Sequence, residues 1–402
     1  MIAYAVTMIV ERDNKRSYSQ PVYMDHAATT PLDPAVLEAM LPYMRDNFGN
    51  ASSVHRLGRA ARGAIEDSRE RIAGHLNANP EEIVFMSGAT EANNFALNGL
   101  GLGSHLVTSR IEHKAVLEPA QALESRGVRV TYLVPDARIG APSADQVAEA
   151  MEADTCQVSV MYVNNETGAV APIKEIASIC RARDVVLHTD AVQAAAWMTL
   201  DVEDLGVDMM SLSAHKMYGP KGAGILYVRS GVELSPQVLG GSQERGRRGG
   251  TENVAAVVGM AAAMALTVSD RDAAVSRVQA LRKELEGRLI DSIGDQLVIN
   301  TPLNAAPHIL STAFRPIAGS PLDGEMLLLN MDLEGISASA GSACASGAIT
   351  PSHVLLGLGL PEHTARASLR LSLGRSTTSE DIALTAERIV KIVQRMRQQR
   401  TG

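Results

Sequence analysis

The run Met210-Ser211-Leu212-Ser213-Ala214-His215-Lys216 is apolar and strand-like, and it ends in a hydroxyl, an imidazole and an amine. The continuation Met217-Tyr218-Gly219-Pro220-Lys221-Gly222 cannot extend a strand, so the chain turns directly after Lys216. In open α/β sheets ligands sit beyond the carboxyl ends of the strands. A lysine in a partly desolvated pocket there loses its proton readily enough to form a Schiff base. Lys216 is therefore the first candidate for a covalent attachment point. The same pattern also fits two surface lysines, Lys216 and Lys221, flanking a turn.

Other reactive groups fall at the ends of neighbouring strand-like runs. Asp190 closes Val185-Val186-Leu187-His188-Thr189, where an unpaired carboxylate is costly. It needs a cation, and a pyridinium nitrogen serves as well as an arginine. An aspartate holding that proton is what pyridoxal phosphate requires to act as an electron sink. His113 could then cover the ring face, and Gln193 could donate to its phenolic oxygen, although a helix-start histidine and a solvated helix glutamine fit the same positions. Ser87-Gly88-Ala89-Thr90 joins a strand to a helix, so its N–H groups and the Thr90 hydroxyl suit a phosphate, or equally an ordinary cap.

Two further residues stand out against their surroundings. Cys344 lies in Ser339-Ala340-Gly341-Ser342-Ala343-Cys344-Ala345-Ser346-Gly347, a run of small residues without apolar periodicity. A structural cysteine sits among large apolar neighbours, whereas a thiol on such a loop is exposed and available as a nucleophile. Arg370, inside the apolar Leu369-Arg370-Leu371-Ser372-Leu373, is expected to be partly buried, and bidentate binding of a carboxylate would justify that burial.

The elements that must position these groups alternate. β-rich runs at Ile83–Met86, His105–Thr108, Val128–Val134, Val158–Val163, Val185–His188, Met209–Leu212 and Gly224–Val228 are mostly separated by helix-compatible segments. That is the pattern of βα units on a mainly parallel seven-stranded sheet, with the polar ends gathered on one edge. Helices are expected over Pro34–Asn47 and Leu57–Leu76. After the basic, glycine-rich loop Gly240–Thr251, a long Ala-rich helix from Val254 and a charged one, Ala273–Leu289, lead into a smaller α+β portion. Thr377-Thr378-Ser379-Glu380 offers a capping box for the last helix, whose Ile389, Ile392, Val393 and Met396 share a face. The division is an extension over 1–20, a large domain over 21–265 whose first part packs with the small one, and a small domain over 266–402.

The chain has 402 residues with a net charge of -8 and 3% aromatic residues, which gives no electrostatic or stacking reason to expect nucleic acid. Three cysteines, Cys156, Cys180 and Cys344, have no CxxC spacing and leave an odd thiol, favouring a reducing, cytoplasmic setting and no structural metal. Met1–Val10 is apolar but too short to span a bilayer, so no membrane association is expected.

Assembled, these residues resemble the cysteine desulfurases, fold-type I pyridoxal-phosphate enzymes related to the aminotransferases. The similarity runs from about Tyr23 to about Arg395 through ordered blocks. These are Tyr23–Thr30, Ser87–Asn94, Glu112–Val116, Asn164–Gly168, Gly341–Cys344 and Leu371–Arg375. The cysteine block is similar to the nitrogen-fixation and iron-sulfur-cluster branch. The resemblance implies that Lys216 binds the cofactor covalently and moves the substrate Cα proton, Asp190 holds the ring nitrogen, His113 stacks on the ring and shuttles protons, and Gln193 contacts the phenolic oxygen. It implies phosphate binding by the Gly88-Ala89-Thr90 turn, Ser213 and His215, joined by Thr251 from a neighbouring subunit of a homodimer. Arg370 and Asn165 would hold the substrate carboxylate. L-cysteine would become alanine, leaving a persulfide on Cys344 for an acceptor protein serving iron-sulfur assembly or thio-modification of RNA or DNA. A selenocysteine lyase or other class V aminotransferase would share Lys216 and Asp190 without needing Cys344. A sulfur-relay scaffold with weak turnover alone is the third reading.

Overall fold

The computed structural model describes residues 21–99, 105–340 and 350–398. The described chain opens with β1 (Val22–Tyr23). Seven strands then form one sheet: β2 (Ile83–Met86), β3 (His105–Ser109), β4 (Arg129–Leu133), β5 (Thr155–Ser159), β6 (Val186–Asp190), β7 (Met209–Ser213) and β8 (Gly224–Val228). Their order is β2-β8-β7-β6-β5-β3-β4. β8 runs antiparallel to both neighbours, and every other pairing is parallel. β2, β7 and β8 are buried at every position, which is why they read as continuous apolar runs and not as alternating ones. The fold is α/β with a mainly parallel central sheet, as the alternating pattern predicts.

The first two helices are Pro34–Arg45 and Arg56–Leu76. Asp33 caps the first by accepting from Ala35 N at 2.9 Å, with Pro34 in the opening turn. The two helices expected beyond Val254 are instead one 40-residue helix, Val254–Ile293. The linking residues Val268-Ser269-Asp270-Arg271-Asp272 contain no glycine or proline. The buried face passes straight through them, from Met264 and Thr267 to Ala274 and Val278. This helix carries a window apolar and long enough to cross a membrane, but half of that window is buried inside the protein. It packs against both Pro34–Arg45 and Arg56–Leu76. Residue 265 lies within it.

Beyond this helix come β9 (Leu297–Ile299), β10 (Ile309–Phe314), β11 (Ile336–Ser337) and β12 (Ser368–Ser372). β12, β10 and β9 make a three-stranded antiparallel sheet. β11 pairs in parallel with β1, so the start of the described chain is stitched to its last third. The final helix, Ser379–Gln398, buries the expected face, but its capping box sits one residue later than the sequence suggests. Thr378 Oγ1 accepts from Asp381 N, and Asp381 Oδ2 accepts from Thr378 N, at 3.2 and 2.9 Å. Thr377 is diverted to Gly374 N, whose hydrogen bond it accepts at 2.9 Å.

Candidate active site

One cavity of about 790 Å³ opens at the carboxyl edge of the large sheet. Gly88, Ala89 and Thr90 reach it from the turn after β2, His113 from the loop after β3 and Asn165 from the loop after β5. Asp190 and Gln193 come from the end of β6, and Ser213, His215 and Lys216 from the end of β7. Arg370 enters from the small sheet. Thr251 is exposed and does not line this cavity. Cys344 lies outside the described residues.

The turn after β7 is what aims Lys216. Residues Ala214–Lys216 form a single 3₁₀ turn, and Met217 N and Gly219 N both return to Ala214 O. A Cβ on Gly219 would lie 2.8 Å from that of Ala214, so only glycine allows the chain to fold back this closely. Lys216 Nζ then donates to Ala27 O and Ala28 O at 2.6 and 2.7 Å. Neither partner carries charge. Burial pushes the amine down to about 8, helped by Arg370 and opposed by Asp190 and Asp25. An amine that is easily deprotonated is the form able to attack a carbonyl.

Asp190 is buried, and its carboxylate accepts from Val192 N at 3.0 Å and from Asn93 Nδ2 at 2.7 Å. Both donors are neutral, so lone pairs and full charge remain for a cation arriving from the cavity. Gln193 donates through Nε2 to Ala27 O at 2.8 Å, the same carbonyl that Lys216 uses, while its Oε1 meets His308 Nε2 at 3.2 Å. His113 caps the helix Lys114–Glu124 by accepting from Ala115 N at Nδ1, 3.1 Å away. That bond leaves Nε2 as the protonated nitrogen of the neutral ring. Burial lowers the His113 pKa, against the pull of Asp190 and with the help of Lys216. His215 Nδ1 lies 3.2 Å from Thr29 Oγ1, and burial, then Lys216 and Lys221, push its pKa down to about 4.

Arg370 sits in β12, where Nη1 donates to Asn165 O and Nη2 to Asp25 Oδ1, both at 2.9 Å. Asn165 Oδ1 is buried with no partner among the described residues. Asn93 and Asp25 carried no expected role. Both fall inside blocks that mark the family resemblance, but their partners lie 97 and 345 residues away, a relation that spacing along one chain cannot reveal.

This donor set fits pyridoxal phosphate. Among the described residues, Lys216 is an amine whose hydrogen bonds go only to carbonyls, and Asp190 is a carboxylate with only neutral donors. The ten-residue helix Ala89–Asn98 presents its N-terminus to the same cavity through Gly88. Gly224 of β8 lets this turn seat closely, since a Cβ there would lie 2.7 Å from Gly88 Cα.

A family profile described as "Aminotransferase class-V" matches residues 22–384. The chain belongs to that family, among its cysteine desulfurases. "Cysteine desulfurase IscS" of Dictyoglomus turgidum is 43% identical over 94% of this chain and 95% of its own. Among solved structures, a "NifS-like protein" superposes with a TM-score of 0.86 at 35% identity, covering 93% of this chain and 100% of that one. One described as "SspA in complex with cysteine" gives 0.77 at 38% identity, over 89% and 99% of the two chains. Members of the class V aminotransferase family depend on pyridoxal phosphate.

Proposed function

We propose that this protein is a pyridoxal-phosphate-dependent cysteine desulfurase that converts L-cysteine to L-alanine and takes up the sulfur as a persulfide on Cys344. The observation that carries this reading is the pairing of Lys216, held by the Ala27 and Ala28 carbonyls, with Asp190 in the cavity that Arg370 also enters. Lys216, Asp190, His113, Ser213, His215 and the Gly88–Thr90 turn would hold the cofactor, with Thr251 contributed by the second subunit of a homodimer. When bound, pyridoxal phosphate supplies the electron sink that lets the substrate give up its Cα proton and then its Cβ–S bond.

The chain's own groups divide the remaining work. Arg370 binds the substrate carboxylate through its guanidinium fork, and Asn165 beside it offers an amide. Lys216 Nζ accepts the Cα proton and returns it. His113 exchanges a proton at Nε2, the nitrogen its helix cap leaves free. The Cys344 thiolate attacks the substrate sulfur, the Cβ–S electron pair stays on carbon, and protonation of that carbon completes alanine. Sulfur is conserved and no outside oxidant is needed, because cysteine plus thiol gives alanine plus persulfide.

Residues 21–265 and 266–402 are read as the large and small domains. The persulfide is passed on to an acceptor protein of iron-sulfur assembly or thio-modification in the cytoplasm. The deciding experiment measures alanine released from L-cysteine by the native protein and by Cys344→Ala, each with pyridoxal phosphate and a reductant. Native activity lost in the variant is the expected result. Alanine formation that survives Cys344→Ala would favour a lyase or aminotransferase that does not use this thiol.

A further inference from the structure

Two buried or half-buried carboxylates brace the turn that enters the helix Ala89–Asn98, and each is held by an arginine. The first is Glu244. Glu244, Arg245 and Gly246 adopt positive φ in succession, 46°, 56° and 79°, a path that residues with side chains follow only when neighbours hold them there. Glu244 is buried and accepts from Arg69 Nη1 and Nη2 at 2.9 and 2.8 Å, and from Phe85 N of β2 at 2.8 Å. The second carboxylate is Glu91. Its Oε2 accepts from Ser87 N at 2.7 Å, and its two oxygens accept from Arg248 Nε and Nη2 at 2.9 and 3.3 Å. The backbone amides of Phe85 and Ser87 are thus both committed to carboxylates, and the loop over 240–251 is fastened to β2 at Glu244 and to the turn, through Glu91, at Arg248.

Glu91 poses an electrostatic problem for this site. A carboxylate in the first turn suits the helix dipole and gives Ser87 N an acceptor, yet it repels an anion seated on the same helix end. Arg248 answers that repulsion. The two side chains are 25% and 18% exposed, so solvent does not fully screen the pair. Bonding to Arg248 and to Ser87 lowers the Glu91 pKa although burial pushes it up, which keeps the carboxylate ionised and in need of its cation.

We propose that Arg248 is a positioning residue that makes the Ser87–Thr90 turn selective for a dianionic phosphate. It neutralises Glu91 and braces the turn against the loop, and it acts without touching the ligand. The inference rests on the cofactor reading above and deepens it, because it concerns the phosphate and not the aldehyde chemistry at Lys216. Pyridoxal, which has the aldehyde but no phosphate, is therefore the natural control.

The test titrates pyridoxal phosphate and pyridoxal into cofactor-free full-length protein and reads the ratio of the two dissociation constants. Arg248→Ala is expected to weaken pyridoxal phosphate by about tenfold, the scale of losing one charge-assisted pair at a helix end, while pyridoxal is unchanged. Arg248→Lys keeps the charge and should keep most of the ratio. Glu91→Gln still offers an oxygen to Ser87 N, so it should bind pyridoxal phosphate at least as tightly as the native protein. Added to Arg248→Ala, it should restore the lost selectivity.

Equal weakening of both compounds by Arg248→Ala, or an unchanged ratio, overturns the inference while leaving the cofactor reading intact. Native protein that binds neither compound overturns both. If Arg248→Ala does not fold, weaker pyridoxal phosphate binding by Glu91→Gln, or a ratio lost in Arg248→Lys, is the overturning result.

Discussion

Lys216 at the end of β7 and Arg370 within β12 are cations on different sheets that face one cavity, and their surroundings treat them in opposite ways. Arg370 is given a carboxylate, Asp25, and a carbonyl, that of Asn165. Among the described residues, Lys216 is given two carbonyls and no carboxylate within bonding distance, with Arg370 adding repulsion. The large sheet thus presents an amine whose charge is poorly supported, and the small sheet a guanidinium whose charge is supported. Arginine cannot be deprotonated in a protein, so a supported arginine binds anions and holds its place. A lysine left short of counter-charge gives up its proton and becomes a nucleophile and a base.

The largest effect should come from removing the reactive member. Lys216→Ala should reduce alanine formation by at least roughly 10²–10⁴-fold, the contribution of a positioned proton-transfer group, measured under single-turnover conditions. Activity that persists in this variant would break the comparison. Arg370→Ala should raise KM for L-cysteine by roughly thirtyfold or more while kcat falls less, since truncating one side of a desolvated charge pair costs about 2 kcal/mol or more. A selective loss of kcat would mean that Arg370 acts on the reacting atoms and not on the carboxylate.

The smallest effect is on stability and depends on pH. The Lys216 amine has a pKa of about 8 in the folded protein against 10.5 as the ordinary value. Below the lower value both folded and unfolded chains carry the proton, and the burial penalty is complete. Between the two, the unfolded chain holds a proton that the folded one has lost, so folding becomes more favourable as pH rises. The cofactor-free Lys216→Met variant should therefore exceed the native protein in stability below pH 8. The margin is on the order of 2 kcal/mol once partial exposure is discounted, and it should vanish by pH 10.5 in urea unfolding. A margin that does not change with pH would remove desolvation as the cause.

Much of this site is legible in the sequence because its residues end apolar strands, and a polar group at such an end is conspicuous. Lys216 and Asp190 are of that kind. Interior polar residues are not. β5 begins at Thr155, earlier than the apolar run Val158–Val163 suggests, because Thr155 is buried against His105 Nδ1 at 2.7 Å and Gln157 donates to Ala96 O at 3.0 Å. Hydropathy leaves those residues outside the strand, and their partners, one on β3 and one on the helix Ala89–Asn98, explain them. Asp25 and Asn93 escaped for the same reason, since each gains its meaning from a residue far along the chain. The long helix Val254–Ile293 was divided in two by a change of composition, from Ala-rich to charged, that its hydrogen-bond ladder ignores.

The stitching of β1 to β11 bears on the order in which this protein can be completed. Ala27 and Ala28 supply the carbonyls that hold Lys216, and the Ala27 amide is held in turn by Ser372 Oγ at 2.8 Å. Strand Val22–Tyr23 has no ladder until Ile336–Ser337 exists. On the ribosome the large sheet can therefore close by the time β8 has emerged, with Thr30 and Ala27 already in reach of His215 and Gln193, while the strand that leads into that segment and the Ala27 amide still wait for β11 and β12. The attachment site is therefore finished late, and an aldehyde captured before β12 is in place would meet an amine whose carbonyl partners are not yet pinned from the side of the small sheet.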